Sequence, residues 1–258
     1  MNKTTQPMNR RSFVKHSAFA ALAAPALAPS SVAGAETPKT AAPPLKVAVV
    51  TSGHSYDVPN FHRLFRALPG VEAFIQHMDD FASSPVEVRD GYAVVLFYIM
   101  LMQGPSNEGL PWYAGRPKDA LEHLGATAQG IVVLHHALLA YPQWPVWSAL
   151  VGIADRKFGF HMGQTLQVQV THRNHPMTRG LAPWTMGDET YTMAEPGEGS
   201  EILLTVEHAK SMKALAWTRS YKKSRVFCLQ SGHDNVTWAN AGFREVLHRG
   251  LRWCAGQI

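Results

Sequence analysis

From Leu45 the chain reads Leu-Lys-Val-Ala-Val-Val, a short and mostly apolar stretch that predicts a buried strand. Two more such stretches follow, Tyr92 to Tyr98 and Gly130 to Leu134. After the first, Phe61, Leu64, Phe65 and Leu68 recur at helical spacing behind Pro59, and Ala67-Leu68-Pro69-Gly70 ends the run. Apolar strands with helices between them predict a parallel sheet covered on both faces. The second half has a different rhythm. Gln164 to Thr171 alternates apolar and polar residues, as a half-exposed strand near a sheet edge does. Ile202 to Val206, Leu215 to Thr218 and Arg225 to Gln230 also read as strands, the last two joined by a turn at Ser220 to Ser224. A final helix runs from about Asn240 to Trp253, with Phe243, Val246, Leu247 and Leu251 on its apolar face. The expected fold class is α/β, one sandwich with a mostly parallel central sheet over residues 45–258.

The opening residues have another character. Arg10-Arg11-Ser12-Phe13-Val14-Lys15 precedes an alanine-rich run and a small-residue stretch ending Ala33-Gly34-Ala35. This resembles a twin-arginine export signal, with cleavage expected before Glu36. The apolar run is short and weakly hydrophobic, whereas a spanning helix needs about 20 apolar residues. Residues 1–35 are therefore expected to be a leader and residues 36–44, rich in Ala, Pro, Thr and Lys, a linker. The location that follows is periplasmic or secreted, after export in the folded state. No membrane span is expected in the mature chain.

The leader also changes the reading of the charge. The formal charge of the 258 residues is +5, from 24 basic and 19 acidic side chains. Lys3, Arg10, Arg11 and Lys15 are four of those 24, so 20 basic residues face the 19 acids beyond the leader. Basic residues form no stripe, and nucleic acid is not the expected partner. The apolar content of 46% excludes a disordered chain, and the two cysteines, Cys228 and Cys254, are too few for a disulfide scaffold.

In an open parallel sheet, ligands sit beyond the carboxyl ends of the strands. His54 follows the first strand in Gly53-His54-Ser55-Tyr56, and His135-His136 follow the strand ending at Leu134. Ser231-Gly232-His233-Asp234 follows the last strand. Asp188-Glu189-Thr190-Tyr191, flanked by Trp184, reads as a loop that brings carboxylates toward these histidines. The candidate catalytic residues are therefore His54, His135, Asp188, Glu189 and His233, because histidine and carboxylate together serve acid–base chemistry. His54, His135, His233 and Asp188 are the candidate ligands of one divalent metal: zinc, manganese or iron. Tyr56, His136, Trp184, Tyr191 and Asp234 are candidates for binding substrate. If strand geometry persists past Leu134, only one of His135 and His136 faces the site. Each residue also has an ordinary explanation. A histidine can cap its own turn, an acidic pair can be a solvated turn, and most of the aromatics can be core. His172 and His175 share a turn, so their spacing shows no convergence. No glycine-rich nucleotide fingerprint, P-loop or nucleophile elbow is present, so no nucleotide cofactor is expected.

Val49-Val50-Thr51-Ser52-Gly53-His54, Gly130 to His136, His175-Pro176-Met177-Thr178-Arg179-Gly180-Leu181, Asp188-Glu189-Thr190-Tyr191 and Gly232-His233-Asp234 occur in an order that resembles the ThuA-like (trehalose utilisation) family. The resemblance covers about 45–256. It implies the class I glutamine amidotransferase-like superfamily and a flavodoxin-like three-layer sandwich. Amidotransferases of that class carry a cysteine nucleophile after a central strand. Here Leu134-His135-His136-Ala137 stands at that place, so glutamine hydrolysis is not expected. The family implies a link to disaccharide or keto-sugar metabolism. The expected function is an exported sugar-processing enzyme acting on a disaccharide or keto-sugar by hydrolysis, elimination or isomerisation. The alternatives are a carbohydrate-binding or accessory protein without turnover, and a metal-dependent hydrolase of a non-sugar substrate.

Overall fold

The computed structural model describes residues 43–258. The leader and most of the linker read from the sequence lie outside the described residues. The elements follow in the order β1 (Leu45–Ser52), α1 (Val58–Arg66), β2 (Val71–His77), α2 (Met78–Ser83), α3 (Val86–Asp90), β3 (Val94–Ile99), α4 (Pro117–Glu122) and β4 (Gly130–Leu134). A 3-10 turn (His135–Leu139), α5 (Pro145–Val151), β5 (Phe158–Val170), β6 (Trp184–Met193), β7 (Glu201–Thr205), β8 (Ala214–Tyr221), β9 (Ser224–Leu229), α6 (Asn235–Ala239) and α7 (Ala241–Cys254) complete the chain.

The strands form one nine-stranded sheet in the order β2-β1-β3-β4-β9-β8-β7-β5-β6. Its first half is parallel: β1 pairs with β2 and β3, and β4 pairs with β3 and β9. These strands alternate between two cores. Val47, Val49, Leu96, Val132 and Phe227 face a core closed by Phe61 and Leu64 of α1 and by Phe243, Val246 and Leu247 of α7. Ala48, Val50, Phe97, Val133 and Cys228 face the opposite core, which holds Phe81 of α2, Leu121 of α4 and Trp147 of α5. All six residues of β3 are buried. Each such side chain contributes roughly 1.5–3 kcal/mol by leaving water, which is why β3 and β4, at the centre of the parallel half, carry no charged or amide side chain.

The other half of the sheet overturns the expectation of a mostly parallel fold. β9–β8, β8–β7, β7–β5 and β5–β6 all pair antiparallel, so the sheet is mixed in equal parts. Parallel neighbours need a crossover of a dozen or more residues, usually a helix. No helix lies between β5 and β9 among the described residues. The molecule is an α/β sandwich with a mixed sheet. β2 and β6 were not anticipated as strands, and β5 is longer than its alternating stretch suggested. The β8–β9 turn forms as expected, with Tyr221 opposite Ser224.

Two features aim this frame at a site. The strand order reverses between β1 and β3, the kind of crevice where open α/β sheets take their ligands. β5 also serves two partners: Gln169 and Val170 pair with β7, while Phe158 to Val168 pair with β6. The β5–β6 ribbon thus leaves the main sheet and folds back over the carboxyl ends of β4 and β9. No described helix is long and apolar enough to cross a membrane.

Candidate functional site

β4 ends at Leu134, and the backbone turns sharply at His135, whose φ is +54°. A left-handed backbone is uncommon outside glycine, though histidine is among the residues that tolerate it. The turn replaces the strand geometry that would have put His135 and His136 on opposite faces, and both are buried. His135 Nδ1 lies 2.7 Å from the carbonyl of Gln230. A carbonyl only accepts, so Nδ1 carries the proton and Nε2 presents a lone pair to the site. That lone pair receives the Tyr191 hydroxyl at 2.7 Å, and the two rings stack.

Asp188, Glu189 and Tyr191 belong to β6 rather than to a loop. Their neighbours explain the docking of the ribbon. Asp188 Oδ2 accepts from Gly232 N at 2.8 Å, and Oδ1 accepts from His233 N at 3.1 Å and Glu189 N at 2.9 Å. The Thr237 hydroxyl donates to the Gly187 carbonyl. Asp188 therefore spends both oxygens on backbone amides and fixes the loop after β9. Glu189, the next residue, points into the cluster: its Oε2 lies 3.0 Å from His233 Nδ1. His233 Nδ1 in turn stands 3.2 Å from His135 Nε2. Tyr98 at the end of β3 and Trp238 in α6 hold the same loop from the other side. The Tyr98 hydroxyl donates to the carbonyls of Gly232 and His233, and Trp238 Nε1 donates to Gly232.

The structure thus brings His135, Glu189, His233 and Tyr191 together, with Asp188 directly behind. His54 stands at the mouth, its ring 4.5 Å from His136 and 5.9 Å from His233. The turn that carries it requires glycine: Gly53 has φ +74°, and a Cβ there would collide with the Met100 carbonyl. His136 donates Nδ1–H to the Ile99 carbonyl and packs its ring on Tyr98, 4.1 Å away, while its buried Nε2 has no partner. Tyr56 packs on Phe61 and lines an open cleft of about 470 Å³ with His54, His62 and His77. Asp234 caps α6 by accepting from Val236 N and Thr237 N. Trp184 lies against Gly242 at the start of α7. It is four residues before Asp188, roughly 13 Å along the strand, and is not brought to the cluster. Of the other aromatics, Trp147, Trp217, Trp238 and Tyr141 are core. His175 is buried on Trp253 and accepts from Met177 N, and His172 pairs with Glu201 on the surface. Tyr98 and Gln230 were not singled out from the sequence. A tyrosine closing an apolar strand was the one available sign of the first; nothing marked the second.

The electrostatics separate the histidines. Burial pushes His135 down to about 3 and His136 down to about 2, so both rings are neutral. The hydrogen bond to Glu189 raises His233 above the usual histidine value, against the opposing effect of burial. For Glu189, burial is the largest influence and acts upward, but the His233 hydrogen bond and the nearby histidines outweigh it and leave the carboxyl below its usual range. Burial lifts Asp188 to about 6 against the pull of its hydrogen bonds. Burial also pushes the thiols of Cys228 and Cys254 well up, so neither is a nucleophile.

The cluster also fits a divalent ion. One ligand atom each from His135, Glu189 and His233 lies within 4.8 Å of the others. His135 Nε2 is the unprotonated nitrogen because the other is tied to a carbonyl, the arrangement that commonly orients metal-binding histidines, and an ion would take the place of the Tyr191 hydroxyl on it. Two imidazole nitrogens and a carboxylate suit zinc, manganese or iron. The metal candidates from the sequence included His54 and Asp188; the converging trio instead takes its carboxylate from Glu189.

Comparison with known proteins agrees with this architecture. A ThuA-like protein of Parabacteroides merdae superposes with a TM-score of 0.64 at 19% identity, covering 83% of this chain and 91% of its own. A cytoplasmic protein of Salmonella typhimurium gives a TM-score of 0.59 at 11% identity, over 81% of this chain and 99% of its own. A β-galactosidase of Bacillus circulans contains the same fold in 31% of its length, with a TM-score of 0.51 at 14% identity over 81% of this chain. These likenesses show the fold. No curated protein sequence matches the chain. The family model described as trehalose utilisation, ThuA, matches residues 92–254, a span that holds His135, Glu189 and His233. The chain belongs to the ThuA family.

Proposed function

We propose that this protein is a sugar-processing enzyme that moves a proton beside the carbonyl of a keto-sugar, in an elimination or isomerisation. The observation that carries the reading is the Glu189–His233 pair, 3.0 Å apart beside the neutral His135. A carboxylate on Nδ1 fixes the tautomer of an imidazole, frees Nε2 and strengthens it as a base. His233 is the base in this reading, and Glu189 orients it. His135 and the Tyr191 hydroxyl complete the wall of the site. His54, half-buried at the mouth, is the group placed to exchange a proton with solvent. In the elimination, the C–H electron pair forms the enolate, the neighbouring C–O bond breaks, and the departing oxygen takes up a proton. The family's description supports a sugar as substrate.

The test is to incubate the protein with a 3-keto-glucoside in deuterium oxide. Deuterium should enter at the carbon beside the carbonyl, and His233→Ala should abolish the exchange. Absence of both exchange and product in the unaltered protein would reject the proposal.

A second reading is favoured by the convergence of His135, Glu189 and His233. A divalent ion held by these three would supply Lewis-acid polarisation of the carbonyl. His233 Nδ1 would then give up its proton to the site. Elemental analysis of untagged protein separates the two readings. The leader belongs to the same proposal, as a signal for folded export. Arg10→Lys with Arg11→Lys should retain the protein in the cytoplasmic fraction, and unchanged fractionation would remove that part.

A further inference from the structure

A second cavity, of about 440 Å³, opens on the other side of the β1 turn. Ser52 lines both this cavity and the cleft at His54. The walls of the new cavity are Met78, Met100, Leu101, Met102, Leu110 and Tyr141, and Asp79 is its one acidic or basic lining residue. It adjoins the catalytic cluster through backbone already described. Leu101 and the Met100 carbonyl lie against Gly53, the residue before His54, and the Ile99 carbonyl holds His136.

The connection over residues 100–116 forms the outer wall. It is longer than about 15 residues and contains no helix or strand, a length that in compact domains usually has a functional reason. It also leaves apolar side chains in water: Met102 is 42% exposed and Leu110 41%, and both line the cavity. Trp112 and Tyr113, beside them in sequence, are 95% and 54% exposed. An apolar wall left open next to a polar cluster is where the apolar part of a ligand would sit. Three methionines suit a flat aromatic ring, because thioethers are polarizable and adapt to ring edges. Ser52, Gln103 and Ser106 also reach the lining, but the wall is mainly apolar and offers a second sugar few hydroxyl partners, and Asp79 disfavours an anion.

We infer that this cavity holds the leaving portion of the substrate, and that this portion is a neutral aromatic or aliphatic group rather than a second sugar. The inference rests on the proposed sugar chemistry for the other half of the ligand. The cluster takes the sugar, and the Met100–Leu110 wall takes its apolar aglycone.

Calorimetric titration with phenyl β-D-glucoside and methyl β-D-glucoside tests this through binding, without relying on turnover. The phenyl compound should bind about tenfold more tightly, equivalent to about 1.4 kcal/mol. Met102→Glu and Leu110→Glu, both at exposed positions, should each erase the difference. Val88→Glu, exposed on α3 and outside the cavity, should keep it. Equal binding of the two glucosides, binding of neither, or a difference that survives both cavity substitutions would overturn the inference. A protein that prefers the phenyl compound yet processes no keto-sugar would overturn only the proposed reaction.

Discussion

Glu189→Gln is expected to lower kcat on a keto-sugar by about a hundred- to ten-thousand-fold, the range typical of a lost general-base contribution. The substitution keeps the shape of the side chain and removes its charge. Glu189 does two things for His233: it fixes the Nδ1–H tautomer, and it raises the basicity of the ring. The second effect gives a signature in pH. His233 is raised above the usual value of 6.5, so its neutral form is reached only at higher pH. Without the carboxylate the ring loses its proton more readily, and the rising limb of the rate profile should move to lower pH. The measurement is kcat against pH for both proteins after chelator treatment, with circular dichroism to confirm that the variant is folded. A variant with the wild-type plateau and the wild-type limb would remove Glu189 and His233 from the proposed roles.

The second large effect is on stability in acid. His136 is buried neutral, with its folded value near 2 against an ordinary 6.5. The unfolded chain takes up this proton as the pH falls through 6.5, while the folded protein does not until far lower. Stability therefore falls with pH below 6.5, and the loss continues toward pH 2. Two pH units below 6.5, one such group accounts for about 3 kcal/mol, a large part of the 5–15 kcal/mol that holds a typical domain. His135, pushed to about 3, adds a loss of the same sign. Asp188, lifted to about 6, works the other way, because its burial is relieved when it takes up a proton. The clean observable is therefore a difference. His136→Phe preserves a ring beside Tyr98 and gives up the bond to the Ile99 carbonyl, which costs about 1 kcal/mol at every pH. Between pH 7 and 4.5 the wild type should lose about 3 kcal/mol more than this variant, read from urea midpoints. An equal acid loss in the two proteins would show that His136 is not held neutral by burial.

These predictions concern residues that were visible in the sequence, but their partnership was not. The apolar runs at Leu45, Tyr92 and Gly130 announced three parallel strands because burial on both faces leaves few polar positions, Lys46 being the one exposed residue of β1. The histidines after β1, β4 and β9 stood out because strand ends are where such sheets bind ligands. The antiparallel half was harder to read. Its strands were mostly recognisable, but pairing direction depends on the connections, and the missing helices between β5 and β9 were the clue. β6 was hidden for a different reason. Thr185, Gly187, Asp188 and Glu189 look like a loop, since the strand buries Asp188 and Glu189 on partners at the site as well as Met186 and Tyr191 in the interior. The sequence marked both Asp188 and Glu189 as catalytic candidates and Asp188 alone as a metal ligand, whereas the alternation of β6 turns Asp188 to the backbone of Gly232 and Glu189 to the ring of His233. The role of Gln230 rests on its backbone carbonyl, which carries no side-chain signature at all.

The position of β9 has a consequence for how the molecule is made. It is the last strand in the sequence, yet it occupies the middle of the nine, between β4 and β8. A ribosome will have released β1 to β8 before the strand that joins their two halves exists. Until residue 229 emerges, the free edges of β4 and β8 have no mutual partner, and His135 has no Gln230 carbonyl to fix its proton. Contacts that span so much of the chain close late and slowly, and unpaired edges invite association with other chains in the meantime. The sheet and the site are completed by the same late insertion, so a nascent chain that stops before residue 233 cannot carry a formed cluster.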